Sequence, residues 1–163
     1  MLIVSCCGAK WVNVVFSGIN QISLDAKGRM AIPARYRDLL SAQCSGQLVA
    51  TIDIHQDACL RIYPLPVWED LASQLEKLPS TNPGVRRIQR LVLGYASNIE
   101  MDNSGRILLP PTLRSYAGLE KDLTLVGLGK KLELWSEEKW STYQHEAISG
   151  TFVLPEEIAS ISF

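Results

Sequence analysis

Alternation of apolar and polar residues marks two stretches of the chain as strands with one face buried. One is Ile22-Ser23-Leu24-Asp25 and the other is Ile99-Glu100-Met101-Asp102; a period of two puts every second side chain on the same face. Each runs into turn chemistry, Ala26-Lys27-Gly28 and Asn103-Ser104-Gly105, where Gly supplies a positive φ at no steric cost. The return strands Arg29-Met30-Ala31-Ile32 and Arg106-Ile107-Leu108-Leu109 stop at Pro33 and Pro110. Proline has no N–H to give a ladder, and it opens helices well. Short helices are therefore expected over Ala34 to Leu40 and Thr112 to Ala117. Apolar runs follow at Leu48 to Ile52 and Leu123 to Val126, then strands at Leu60 to Tyr63 and Leu132 to Trp135. A helix starts near Pro66 in the first case and Glu137 in the second. Trp68, Leu71, Ala72, Leu75 and Leu78 keep helical spacing on one face. After the break Ser80-Thr81-Asn82-Pro83-Gly84, Val85 to Tyr95 reads as one more helix, with Ile88, Leu91, Val92 and Tyr95 apolar.

The elements thus come twice in the same order. The hairpin blocks match at an offset of 77 residues, as far as Arg37 opposite Arg114. Leu60-Arg61-Ile62-Tyr63 and Trp68 match Leu132-Glu133-Leu134-Trp135 and Trp140 at an offset of 72. The five extra residues of the first copy lie between the blocks, where a surface loop varies in length. A copy of about 60 residues buries only a marginal core alone. Two copies folded against each other, an intramolecular pseudo-dimer, solve that problem. The expected divisions are an unmatched segment over 1–15, a first repeat over 16–84, a second with its leading helix over 85–150, and a tail over 151–163.

Composition narrows the class. The chain has 163 residues, 47% of them hydrophobic, and a formal net charge of -1. Such a chain is neither disordered nor able to coat nucleic acid by bulk charge. The charge is unevenly spread: residues 1–114 carry 12 basic and 9 acidic side chains, whereas 115–163 carry 4 and 8. Arg86, Arg87 and Arg90 form a basic face on the helix after Gly84, the usual solvated face of an amphipathic helix or a surface for phosphates. Cys6, Cys7, Cys44 and Cys59 form no CxxC pair and His55 and His145 stand far apart, so no metal ligand set is expected. Free thiols fit a reducing cytoplasm. Residues 1–15 are too short and interrupted to span a membrane, and Lys10 follows the apolar run rather than preceding it, unlike a signal peptide.

No nucleophile–base signature and no phosphate-binding glycine loop is legible. Catalytic residues, a cofactor and a small-molecule substrate are accordingly not expected. Asp25 and Asp102 precede turns, where a carboxylate accepts turn amides or pairs with an arginine across the hairpin. Arg29 and Arg106 each follow a hairpin glycine. A guanidinium there either fixes the turn against the aspartate or offers its fork to phosphates and base edges; one fork can do both. Lys27, Arg35 and Arg37 add charge in the first copy and Arg114 in the second. Because affinity grows with the number of phosphates neutralised, one such chain would bind DNA weakly, and several chains together would bind more tightly.

The stretch from Gly18 to Arg29 with Ile32-Pro33-Ala34-Arg35-Tyr36-Arg37 resembles the opening of MraZ proteins. Tyr63-Pro64-Leu65-Pro66-Val67-Trp68-Glu69, Asn82-Pro83, Arg86 to Leu91, Met101 to Arg106 and Leu132 to Trp135 resemble that family too. The resemblance spans roughly Phe16 to Ile148. It implies an α+β, β-rich fold: a double-split β-barrel from two tandem AbrB-like swapped-hairpin motifs with covering helices. It also implies a bacterial transcriptional regulator of the division and cell-wall gene cluster, binding repeated promoter elements on double-stranded DNA as a ring-shaped homo-oligomer. Lys27, Arg29 and Arg106, with Arg35 and Arg37, become DNA-contact candidates, and Asp25, Gly28, Asp102 and Gly105 become hairpin-shaping residues. The competing reading is a structural or protein-interaction ring in which the Asp–Arg hairpins stabilise subunits; an enzyme ranks third. Family members open with Met-Phe, and here Phe16 follows Val15. The expectation is that Val15 marks an alternative start codon.

Overall fold

The computed structural model describes residues 15–162 apart from 56, 152, 154 and 159. The expectations for residues 1–14, including Cys6 and Cys7, lie outside the described residues. The strands are β1 (Phe16–Ser23), β2 (Arg29–Ala31), β3 (Gln47–Ile52), β4 (Leu60–Pro64), β5 (Ser97–Glu100), β6 (Arg106–Leu108), β7 (Asp122–Gly129) and β8 (Lys131–Ser136). The helices are α1 (Ala34–Cys44), α2 (Leu65–Glu76), α3 (Pro83–Val92), α4 (Pro111–Ala117) and α5 (Glu137–Ser149). A short 3-10 turn, Glu156–Ile158, follows.

Strands of the two copies are exchanged. The six-stranded sheet runs β1-β7-β8-β4-β3-β5, and β2 pairs with β6 in a separate two-stranded ribbon. Every pairing is antiparallel. Exchanging equivalent strands of the two copies turns the sheet order into its own reverse, so the chain has an internal pseudo-two-fold. Equivalent residues face each other where that axis passes: Met30 opposite Ile107 in the ribbon and Arg61 opposite Glu133 between β4 and β8. The hairpins of the sequence reading are therefore turns whose strands leave for other partners. Within the first hairpin the backbone ladder is limited to the Leu24–Met30 bridge and the adjacent bond from the Asp25 amide to the Arg29 carbonyl. This exchange is the swapped-hairpin arrangement of a double-split barrel.

The reason lies in burial. β3 is apolar on both faces because both are covered: Leu48, Ala50 and Ile52 enter the main core, while Val49 packs with Tyr63, Trp68 and Val92 under α2 and α3. The main core also takes Met30 and Ile107 from the ribbon, Tyr36 and Leu40 from α1, and Leu113 and Ala117 from α4. Trp135, Val126 and Cys59 form a smaller cluster against Trp140 of α5. Pro33, Pro64 and Pro110 stand immediately before α1, α2 and α4, as proline punctuation predicts.

Two apolar positions depart from the pattern. Leu78 lies beyond the end of α2 and Ile88 faces outward from α3, both exposed. α3 also ends at Val92, three residues before the expected end, although turn bonds carry the winding to Tyr95. Among the described residues, no helix is long and apolar enough to cross a membrane.

Candidate functional site

The two turns are built alike. In the first, Asp25 Oδ1 accepts from the amides of Lys27 and Arg29, both at 2.9 Å, while Arg29 Nε donates to Oδ2 at 2.8 Å. In the second, Asp102 Oδ1 accepts from Ser104 and Arg106 amides at 2.8 and 2.9 Å, and Arg106 Nε donates to Oδ2 at 3.2 Å. The arginine amide, then the guanidinium and the neighbouring turn amide, hold each carboxyl below its ordinary value. Asp25 and Asp102 are thus turn-shaping residues, and the aspartate fixes each guanidinium through Nε only. No described residue accepts a hydrogen bond from the Nη nitrogens of Arg29 or Arg106. Both side chains remain over one-third exposed, at 34% and 40%.

The ribbon puts both arginines on one surface. Met30 and Ile107 point inward and are 1% exposed. Their neighbours Arg29, Ala31, Arg106 and Leu108 therefore point outward, since side chains alternate along a strand. Arg29 lies opposite Leu108 and Ala31 opposite Arg106. The two arginines are diagonal neighbours, with Cα atoms about 7–8 Å apart. Lys27 is exposed at the first turn. A compact cationic face results, carried by a two-stranded ribbon of the size that a DNA major groove admits.

Arg37 and Arg114 hold that face together. Arg37 Nε donates to the Ile32 carbonyl at 2.6 Å, and Arg114 Nε to the Leu109 carbonyl at 3.1 Å. Each lies across the glycine of the other copy's turn. A methyl group on Gly28 would come within 2.8 Å of Arg114 Cζ, and one on Gly105 within 2.8 Å of Arg37 Cζ. Gly28 and Gly105 have φ of +83° and +74°, so they supply both the turn conformation and the room for these side chains. Backbone bonds complete the exchange: the Ile32 amide to the Gly105 carbonyl, 2.8 Å, and the Leu109 amide to the Gly28 carbonyl, 2.9 Å. Arg35 sits elsewhere. Its Nη2 donates to Asn20 Oδ1 and to Tyr36 Oη at 3.0 and 2.9 Å, and its guanidinium lies against Gly18. Of the five basic DNA-contact candidates, the ribbon gathers Lys27, Arg29 and Arg106. Arg37 lies beneath the second turn and Arg35 beside β1.

A second polar cluster lies off the ribbon. Asp53, Cys59 and Glu133 have ligand atoms within 4.8 Å of one another. Arg61 fills the cluster, 2.6 Å from Asp53 Oδ2 and 4.0 Å from Glu133 Oε1. A cation would have to displace that guanidinium. Burial raises the Asp53 carboxyl, but the His55 amide and Arg61 outweigh it and leave it lowered. Burial and the nearby carboxylates push the Cys59 thiol up, away from thiolate chemistry. The sequence could not announce this group, because its members come from β4, β8 and the loop between β3 and β4.

The chain matches the model of the MraZ protein, antitoxin-like family twice, over residues 15–91 and 92–158. It is 47% identical over 152 residues to "Transcriptional regulator MraZ" of Halorhodospira halophila. It is 50% identical over 148 residues to the protein of that name in Saccharophagus degradans, and 49% over 152 residues to that in Coxiella burnetii. Each alignment covers 91% of this chain and 99% of the relative.

Proposed function

The chain belongs to the MraZ family, and on that premise we propose that it is a transcriptional regulator that binds double-stranded DNA through the ribbon face. The observation that carries the reading is the pair Arg29 and Arg106. Both are fixed at Nε by an aspartate, and both side chains remain over one-third exposed on one surface, with no described partner for their Nη groups. Guanidinium held this way keeps the four N–H donors of its two Nη groups for phosphate or base edges and loses little freedom on binding. Lys27 adds a phosphate contact at the first turn. The protein acts by occupancy and carries out no chemistry.

One ribbon offers few phosphate contacts, and the overall charge of -1 gives little help at long range. Ring-like homo-oligomers would let several ribbons engage repeated promoter elements at once, raising affinity without new contacts. The division and cell-wall gene cluster is the expected target, and the nucleoid in the cytoplasm the expected place of action.

A gel shift at rising salt tests this reading, with the gene's own upstream DNA beside unrelated DNA of equal length. We expect preference for the upstream fragment and a steep linear fall of log affinity with log salt. Equal, salt-insensitive binding to both would contradict it.

A further inference from the structure

The outward face of the ribbon also carries a large apolar side chain. Leu108 is 56% exposed although it stands in a strand between two arginines. Arg29 faces it across the ribbon, with Cα atoms about 5 Å apart. Arg106 precedes it by two residues on the same face, about 7 Å along the strand. A lone exposed leucine is ordinary on a protein surface. This one stands directly opposite Arg29 on the cationic face, and its equivalent in the first copy is Ala31, a side chain too short to reach as far.

We propose that Leu108 is a specificity residue that packs on the 5-methyl group of a thymine next to the site reached by Arg29. The proposal rests on the DNA-binding reading above and names part of what that face recognises. On the major-groove edges of unmodified base pairs, the thymine methyl is the apolar group on offer. An aliphatic side chain on a ribbon that enters the groove meets it directly, while flanking arginines take phosphates or polar edges. The strand spacing of about 7 Å between Leu108 and Arg106 matches two base-pair steps of about 3.4 Å each. The rest of the face differs in the same sense. Lys27, Arg29 and Leu108 cluster at one end, and Ser104, Arg106 and Ala31 at the other. The internal pseudo-two-fold is thus broken at the face where DNA would be read.

Replacing thymine by uracil removes that methyl group and nothing else. The test measures binding of the full-length protein to its upstream fragment made with thymidine or with deoxyuridine. Wild type is expected to bind uracil DNA roughly fourfold more weakly per methyl contact, the factor for burying one such group. Leu108→Ala is expected to bind both DNAs equally, and Leu108→Met, which keeps the reach, to retain the preference. Equal binding of both DNAs by wild type, or an undiminished thymine preference in Leu108→Ala, overturns the proposal. So does a Leu108→Ala protein whose native mass changes while its thymine preference stays, because Leu108 would then belong to a contact between copies. Failure of wild type to prefer upstream over unrelated DNA would instead overturn the DNA-binding reading beneath it.

Discussion

Asp25 and Asp102 do the same work in two places. Each gathers two turn amides and one guanidinium around a single carboxylate. This was legible in the sequence, because an aspartate, a turn glycine and an arginine lie within five residues of one another and their chemistry is local. The roles of Arg37 and Arg114 were not legible. Their partners are glycines 68 and 86 positions away, in the other copy, and no local pattern encodes a contact across copies. Gly105→Ala tests the arrangement. The substitution forces a Cβ into the left-handed region, costing about 1–2 kcal/mol, and crowds Arg37 as well. A fall in melting temperature of several degrees is expected by calorimetry, since each kcal/mol is worth about 2–4 °C at this size. An unchanged melting temperature would show that the turn tolerates the methyl group.

At the scale of elements, alternation and proline placement gave the strands and helices in their order. They did not give strand partners. β1 and β2 look like a self-contained hairpin in the sequence, yet β1 ladders with β7 and β2 with β6. Periodicity reports which face of a strand is buried and not what covers it. Leu78 and Ile88 show the same limit, since both keep helical spacing but end up exposed. The exchange has a consequence for fragments. Residues 15–92 alone lack β5, β6, β7 and β8, leaving β1 and β2 without their partners. That fragment is expected to be unfolded or to pair with a second copy of itself, with β1 of one laid on β3 of the other. Circular dichroism with analytical ultracentrifugation checks this. A cooperatively folded monomer would contradict the exchange.

For the whole molecule, net charge is a poor guide to partners. A chain with a formal charge of -1 still presents Lys27, Arg29 and Arg106 on one small ribbon. Duplication places the two arginines side by side by pairing β2 with β6, something neither copy achieves alone. The same pairing makes the face nearly two-fold symmetric and leaves Leu108 opposite Arg29 where Ala31 stands opposite Arg106. The most direct test of the account is the double variant Arg29→Ala, Arg106→Ala, compared with wild type for binding to the upstream DNA while native mass is followed in parallel. Loss of specific binding at unchanged native mass is the expected result. Unchanged affinity would contradict it, and a variant that falls into smaller species would assign the two arginines to subunit assembly instead.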